Sequence, residues 1–154
     1  MYLPKLNERL IGKVLAHIKA FPETYNQNEV AISCKVDAAT PCGAIGCFGG
    51  WAVLLGVPKE QRSELACTVQ LDTAKDLVGF TENEADYVFA TVYGNHNAKK
   101  DYKTIVARLN EVRRARTIVK SLNAIKGVNF DEGFSVEVKG LETGTRFLGY
   151  GLNS

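Results

Sequence analysis

The feature that most limits the fold is a run of twenty residues without a charge, from Ala38 to Val57. Within it, Cys42 to Leu55 read CGAIGCFGGWAVLL, so glycines alternate with large apolar side chains. A helix that is apolar all round is buried on most sides, so the segment predicts a central helix that ends at Gly56, Val57 and Pro58. Each glycine costs a helix about 1 kcal/mol relative to alanine. We therefore expect a neighbouring helix, or alternatively a ligand, to approach this segment closely.

Apolar residues at helical spacing predict four further helices around this segment. They run over about Lys5 to Ala20, Glu60 to Val78, Glu82 to Ala90 and Asp101 to Ile125. Pro22 ends the first helix and Gly79 caps the second, while Thr81 and Glu84 have the spacing of a capping box at the start of the third. Residues Glu23 to Pro41 are predicted to form a loop.

The last part of the chain changes to a period of two. Phe134, Val136 and Val138 alternate with polar residues, which is typical of a half-buried strand, and Thr145 to Tyr150 is predicted to pair with it as a hairpin. At 154 residues the chain has room for one core. We therefore predict a mostly α fold with a small C-terminal β-hairpin, as a single domain over 1–154, helical at 1–127 with the hairpin tail at 128–154.

The composition, 45% hydrophobic and 23% charged, is that of a soluble globular protein. It excludes disordered, collagen-like and disulfide-dense classes. No apolar run approaches the roughly 18 residues that a membrane span needs. The charged residues Lys5, Glu8, Arg9 and Lys13 are unlike a signal peptide. We expect a cytoplasmic protein without a membrane partner.

The four cysteines lie at positions 34, 42, 47 and 67, separated by seven, four and nineteen residues. Structural zinc sites usually pair ligands across two to four residues, and only Cys42 and Cys47 fit. We predict neither a metal nor a cofactor, and no disulfide, because nothing indicates an oxidising compartment. The cysteines are interpreted as small buried hydrophobes.

An enzymatic alternative is a cysteine-dependent hydrolase that uses Cys42 or Cys47 with His96. Either cysteine would lie near the start of a helix, where the dipole lowers the pKa of a thiol. His17 lies in the apolar stripe of the first helix and is predicted to be a satisfied core histidine. His96 lies in a polar loop and is predicted to be solvated.

The region from Lys99 to Lys126 contains nine basic and two acidic residues, a net charge of +7, so the rest of the chain carries −5 against a total of +2. On a helical projection Lys103 and Arg114 lie opposite the apolar stripe, while Arg113 and Lys120 flank it. These four side chains are the predicted binding residues for an acidic partner. Arg108 and Arg116 fall within the stripe, which predicts internal pairing with acidic groups.

The segment PCGAIGCFGGWAVLLG, preceded by LAHIKAFPETYNQ and followed by LVGFTENEADYVF, resembles a group of small uncharacterised bacterial and phage proteins with a C-G-x-x-x-C-x-x-G-W-A core. The resemblance covers about Leu10 to Phe89. It implies a bacterial or phage origin but transfers no catalytic residue.

The sequence lacks a convincing set of nucleophile, base and orienting group, which favours a non-enzymatic binding or interaction protein. Its expected partner is a protein or a nucleic acid with an acidic surface. The cysteine-dependent hydrolase is the alternative, and the oligomeric state is left open.

Overall fold

A computed structural model describes residues 3–28, 46–58, 60–61, 70–92, 94–125, 133–140 and 144–151. These residues form five α-helices and one antiparallel hairpin: α1 (Glu8–Ala20), α2 (Phe48–Gly56), α3 (Gln70–Val78), α4 (Glu82–Phe89), α5 (Ala98–Asn123), β1 (Phe134–Gly140) and β2 (Gly144–Tyr150). The predicted mostly α fold with a small C-terminal hairpin is confirmed. Buried side chains from all seven elements belong to one hydrophobic cluster. No helix among the described residues is long and apolar enough to cross a membrane.

Helix α2 is the buried centre, but it is shorter than predicted. It begins at Phe48 rather than Cys42, because Gly46 pairs with Tyr25 in a parallel bridge and Cys47 is an extended N-cap. Residues 42–45 lie outside the described ranges. The side chains of α2 from Phe48 to Leu54 are buried, and Trp51 has an exposed fraction of 0%.

Two glycines of α2 allow neighbouring helices to pack closely. A Cβ on Gly49 would lie 3.0 Å from a methyl of Leu71 in α3, and one on Gly56 would lie 3.0 Å from a methyl of Leu10 in α1. The expected close approach of neighbouring helices is confirmed at both positions. This packing offsets part of the cost of glycine in a helix.

The helix boundaries follow the residues that satisfy free backbone groups. Asn7 caps α1, which therefore starts three residues after the predicted Lys5, and Thr81 and Glu84 form the predicted capping box of α4. Gly79 ends α3 with a positive φ of 79°. Pro22 begins a short 3₁₀ turn directly after α1.

Other predicted boundaries move by a few residues or fall outside the described part. Glu60 and Gln61 form a 3₁₀ turn rather than the start of an α-helix, and residues 62–69 are outside the described ranges, so α3 is described from Gln70. Within the predicted loop, Glu23 and Thr24 belong to the 3₁₀ turn. Helix α5 starts at Ala98, capped by Asn97, and ends at Asn123.

The hairpin packs β1 against α5 and β2 against α4. Its register pairs Phe134 with Tyr150 and Gly140 with Gly144. Side chains of the helices occupy the edge of β1 that faces away from β2. Arg114 donates to the carbonyl of Glu137, Glu111 accepts from the amide of Lys139 at 3.0 Å, and Tyr87 donates to the carbonyl of Lys139 at 3.2 Å.

Candidate functional site

Cys47 does not have the properties of a catalytic thiol. Its exposed fraction is 2%, and its sulfur accepts a hydrogen bond from the amide of Gly50 at 3.4 Å. Burial raises the pKa of the Cys47 thiol and outweighs the amides at the helix start, which lower it. The expectation of a lowered pKa is therefore wrong at this position. Cys34, Cys42 and Cys67 lie outside the described residues.

His96 has an orienting carboxylate that sequence reasoning missed. Its side chain is 39% exposed, and its Nδ1 lies 2.8 Å from Oδ2 of Asp101, whose side chain is 1% exposed. Asp101 is in the first turn of α5, five residues along the chain. Neither a hydrogen bond nor an ion pair joins His96 to Cys47 in the described part of the chain.

His17 is half-buried, with its ring centroid 3.9 Å from that of Trp51. Its Nε2 is 3.3 Å from the hydroxyl of Thr24, and burial lowers its pKa. The ring therefore has both an apolar contact and a polar partner, as predicted for a satisfied histidine. Among the described residues, no group of three or more histidine, cysteine, aspartate or glutamate side chains could hold a metal ion.

The two arginines predicted to pair internally are both buried. Arg108 donates to the carbonyls of Val88, Ala90 and Thr91, at 3.4, 2.5 and 3.3 Å, at the C-terminal end of α4. The last carbonyls of a helix have no partner within it, so Arg108 supplies the missing donors.

Arg116 forms an ion pair with Glu84 inside the core. Its Nε and Nη2 donate to the two carboxylate oxygens at 2.8 and 2.5 Å. The other Nη2 hydrogen bond goes to the carbonyl of Gly79, at 2.6 Å, and Nη1 donates to the carbonyl of Pro4. Glu84 also accepts from the hydroxyl of Tyr150 at 2.9 Å. Glu84 thus has two roles, as capping residue and as the counter-ion of Arg116.

Two of the four predicted binding residues already form an ion pair with a carboxylate of the same protein. Arg113 binds Glu8 of α1 through Nε and Nη2, at 3.0 and 2.7 Å, and this contact lowers the pKa of Glu8. Arg114 binds Glu111 one turn earlier, at 2.8 Å, and lowers its pKa. Both arginines therefore use their charge in an ion pair within the protein, so neither is free for a partner.

The other two predicted binding residues, Lys103 and Lys120, are exposed. Among the described residues, the ammonium groups of both lack an ion-pair partner. They lie at opposite ends of α5, seventeen positions apart. The structure therefore does not bring all four predicted residues into one site.

A cavity of about 440 Å³ lies between the N-terminal segment and the second half of α5, and we call it the basic groove. One wall is formed by residues 3–6 together with Glu8 of α1, and the other by Arg113, Arg116, Thr117 and Lys120. Lys103 and Arg114 do not line it. The sequence did not indicate that Lys5 contributes to this groove, because the spacing of residues along one helix does not show which distant residue packs beside it.

The N-terminal wall of the groove is held in place by backbone contacts. The amide of Asn7 donates to the carbonyl of Val78 at 2.9 Å, and its side chain donates to the carbonyl of Leu77 at 3.1 Å. Gly79 lies so close that a Cβ there would be 2.2 Å from the carbonyl oxygen of Lys5. These contacts fix the position of the N-terminal wall relative to α3.

Comparisons with protein-family models, with curated proteins and with solved structures gave no match for this chain. The function is therefore inferred from the geometry and charge of the basic groove.

Proposed function

We propose that this protein is a non-enzymatic interaction protein that binds an acidic segment of a partner protein in the basic groove. The observation that carries the proposal is the charge of the lining, which has four cationic side chains and a single carboxylate. A bacterial or phage origin is part of the proposal and is supported by the resemblance of the cysteine-glycine segment. A cytoplasmic location is also proposed, since the free thiol of Cys47 fits a reducing compartment.

The groove keeps an excess of positive charge after its internal pairs are counted. Arg113 is neutralised by Glu8 and Arg116 by Glu84. Lys5 and Lys120 are exposed, and within the described residues their ammonium groups have no ion-pair partner. Two uncompensated charges at one concave site favour an incoming anion over a cation.

The composition of the walls favours a protein partner over a nucleic acid. The half-buried side chains of Leu3 and Leu6 stand beside the cations, and they offer apolar contact to a peptide. Outside the groove, Arg108 and Arg114 of α5 are bound to groups of the protein itself, and inside it Arg113 is paired with Glu8. A continuous row of free cations, which phosphate backbones require, is therefore interrupted.

The hydrolase alternative receives no support from Cys47. A catalytic cysteine needs an accessible thiolate, whereas this thiol is buried and its pKa is raised.

The proposal is tested with a fluorescent peptide that contains glutamates and leucines, titrated with the full chain at low salt while anisotropy is measured. We expect binding that weakens as salt rises. The variant Lys5→Glu/Lys120→Glu should bind at least tenfold more weakly. The matched control, Lys13→Glu/Lys19→Glu on exposed positions of α1, should change affinity less than threefold.

Three results would contradict the proposal. The wild type fails to bind the peptide, the groove variant and its control lose affinity equally, or a single-stranded DNA of similar charge binds more tightly than the peptide. Lys103→Glu adds a further check: because Lys103 lies outside the groove, its variant should bind like the wild type.

A further inference from the structure

Arg116 has one hydrogen-bond donor that the fold does not use. A guanidinium has five N–H groups, and four of those of Arg116 donate to Glu84, Gly79 and Pro4. The second N–H of Nη1 has no acceptor among the described residues. The side chain of Arg116 is only 7% exposed. An unsatisfied donor this deeply buried is costly unless something binds it.

The unused donor lies on the side of the guanidinium that faces the basic groove. Nη1 is the nitrogen that contacts Pro4, which lines the groove, as Arg116 itself does. The acceptors of Nε and Nη2, which are Glu84 and Gly79, do not line it. The donor is therefore placed to meet a ligand that enters between the N-terminal segment and α5.

We infer that the basic groove is a binding site for a phosphoryl group, carried by a phosphorylated serine or threonine of the partner segment. This inference rests on the proposed function and names the acidic group that the groove selects. A phosphoryl dianion matches the two uncompensated ammonium charges of Lys5 and Lys120, and one of its oxygens accepts the unused N–H of Arg116.

A phosphoryl group fits the donor set better than a carboxylate does. It has three oxygens for three separate donors, which approach from both walls of the groove. Glu8 is the one carboxylate of the lining, and both of its oxygens are bound by Arg113. Its charge is therefore compensated before the ligand arrives. The hydroxyl of Thr117 donates to the carbonyl of Arg113 at 3.0 Å, so it is not one of the donors for the phosphoryl group.

The first test uses inorganic phosphate and the full chain, followed by amide NMR at constant ionic strength with chloride as the balancing anion. We expect saturable shifts in residues 5–6 and at Thr117 and Lys120. The variant Lys5→Gln/Lys120→Gln should weaken phosphate binding at least tenfold. The control Lys13→Gln/Lys19→Gln should match the wild type within twofold. Shifts that survive unchanged in the groove variant would overturn the site, and so would shifts that chloride alone reproduces. Arg116 itself is not substituted in this test, because the loss of its buried pair with Glu84 would destabilise the core and confound the binding measurement.

The second test compares three peptides of one sequence that carry phosphoserine, serine or glutamate at the same position. The phosphoserine peptide should bind at least tenfold more tightly than both others and more tightly than free phosphate. The ratio of its affinity to that of the serine peptide should fall at least threefold between pH 7.5 and pH 5, because a phosphoserine has its second pKa at about 6 and becomes a monoanion. Equal affinity for the phosphoserine and glutamate peptides would overturn the inference. So would a DNA strand that displaces the bound phosphoserine peptide at a lower concentration than the unlabelled phosphoserine peptide needs.

The two proposals fail separately. If the glutamate peptide binds with a groove-dependent affinity that phosphoserine does not improve, the phosphoryl inference is wrong and the interaction function stands. If inorganic phosphate binds in the groove while no peptide does, the phosphoryl site stands and the interaction function is wrong.

Discussion

Breaking the buried pair between Glu84 and Arg116 is expected to remove a large part of the stability of the protein. The change Glu84→Gln keeps the size of the side chain but removes its charge. Arg116 is then left as a buried cation, and an amide nitrogen that donates replaces one of the two oxygens that accepted from it. Removing one partner of a buried ion pair costs about 3–5 kcal/mol, out of a typical total of about 5–15 kcal/mol.

The assay is urea and thermal unfolding followed by circular dichroism. At about 2–4 °C per kcal/mol for a chain of this size, the melting temperature of Glu84→Gln should fall by about 6–20 °C. Tyr150→Phe deletes one hydrogen bond to the same carboxylate, so it should cost about 1.5–3 kcal/mol. The matched control is Glu82→Gln, two residues away on the exposed side of α4, where the loss should stay below about 1 kcal/mol.

A double variant measures the interaction free energy between Glu84 and Arg116. Glu84→Leu/Arg116→Met replaces both charges by apolar side chains, so no charge is left buried without a partner. We expect it to lose less stability than the sum of Glu84→Leu and Arg116→Met measured singly, because removal of both members of a buried pair is often close to neutral. If Glu84→Gln costs no more stability than Glu82→Gln, or if the loss in the double variant equals the sum of the two single losses, the buried pair does not have the stabilising role assigned to it.

Three further predictions follow from single residues. Burial lowers the pKa of His17, so the unfolded chain binds a proton on this ring more readily than the folded protein does. The folded state should therefore lose stability as pH falls below about 6.5. The fluorescence of Trp51, the single tryptophan, should titrate with a midpoint below that pH, and a higher midpoint would count against a lowered pKa. Cys47 in the native protein should react with a thiol reagent at least tenfold more slowly than in urea, because the thiol is buried and its pKa is raised. Mass spectrometry of labelled peptides measures both rates, and fast labelling of the native protein would restore the hydrolase alternative. Gly79→Ala should cost more than about 1 kcal/mol in urea unfolding, because the backbone has a positive φ and the added methyl would meet the carbonyl of Lys5; unchanged stability would contradict that contact.

The elements of the fold were largely predictable from local patterns. The capping box of Thr81 and Glu84 depends on a spacing of only three residues, and the alternation around Val136 and Val138 is just as local. The start of α2 was predicted six residues too early, because it depends on the bridge between Gly46 and Tyr25, which are distant in sequence.

The candidate site was predictable only in part, and for the same physical reason. The burial of Arg116 followed from its place in the apolar stripe of α5, but its partner is a capping residue of another helix. The pairing of Arg113 with Glu8 joins residues 105 positions apart, and no periodicity indicates it. Lys5 was predicted to lie in a helix, whereas it precedes α1 and forms a wall of the basic groove.

The contacts that α5 makes with the edge of β1 also bear on how copies of this protein behave at high concentration. A hairpin of two strands has two edges that can recruit a strand from another molecule, which is the first step of sheet-mediated aggregation. On the β1 side, Arg114 and Glu111 of α5, together with Tyr87 of α4, already occupy the backbone groups of Glu137 and Lys139, as a third strand would. Side chains of two helices therefore close this edge of the sheet, so a strand of another molecule finds these backbone groups already bound.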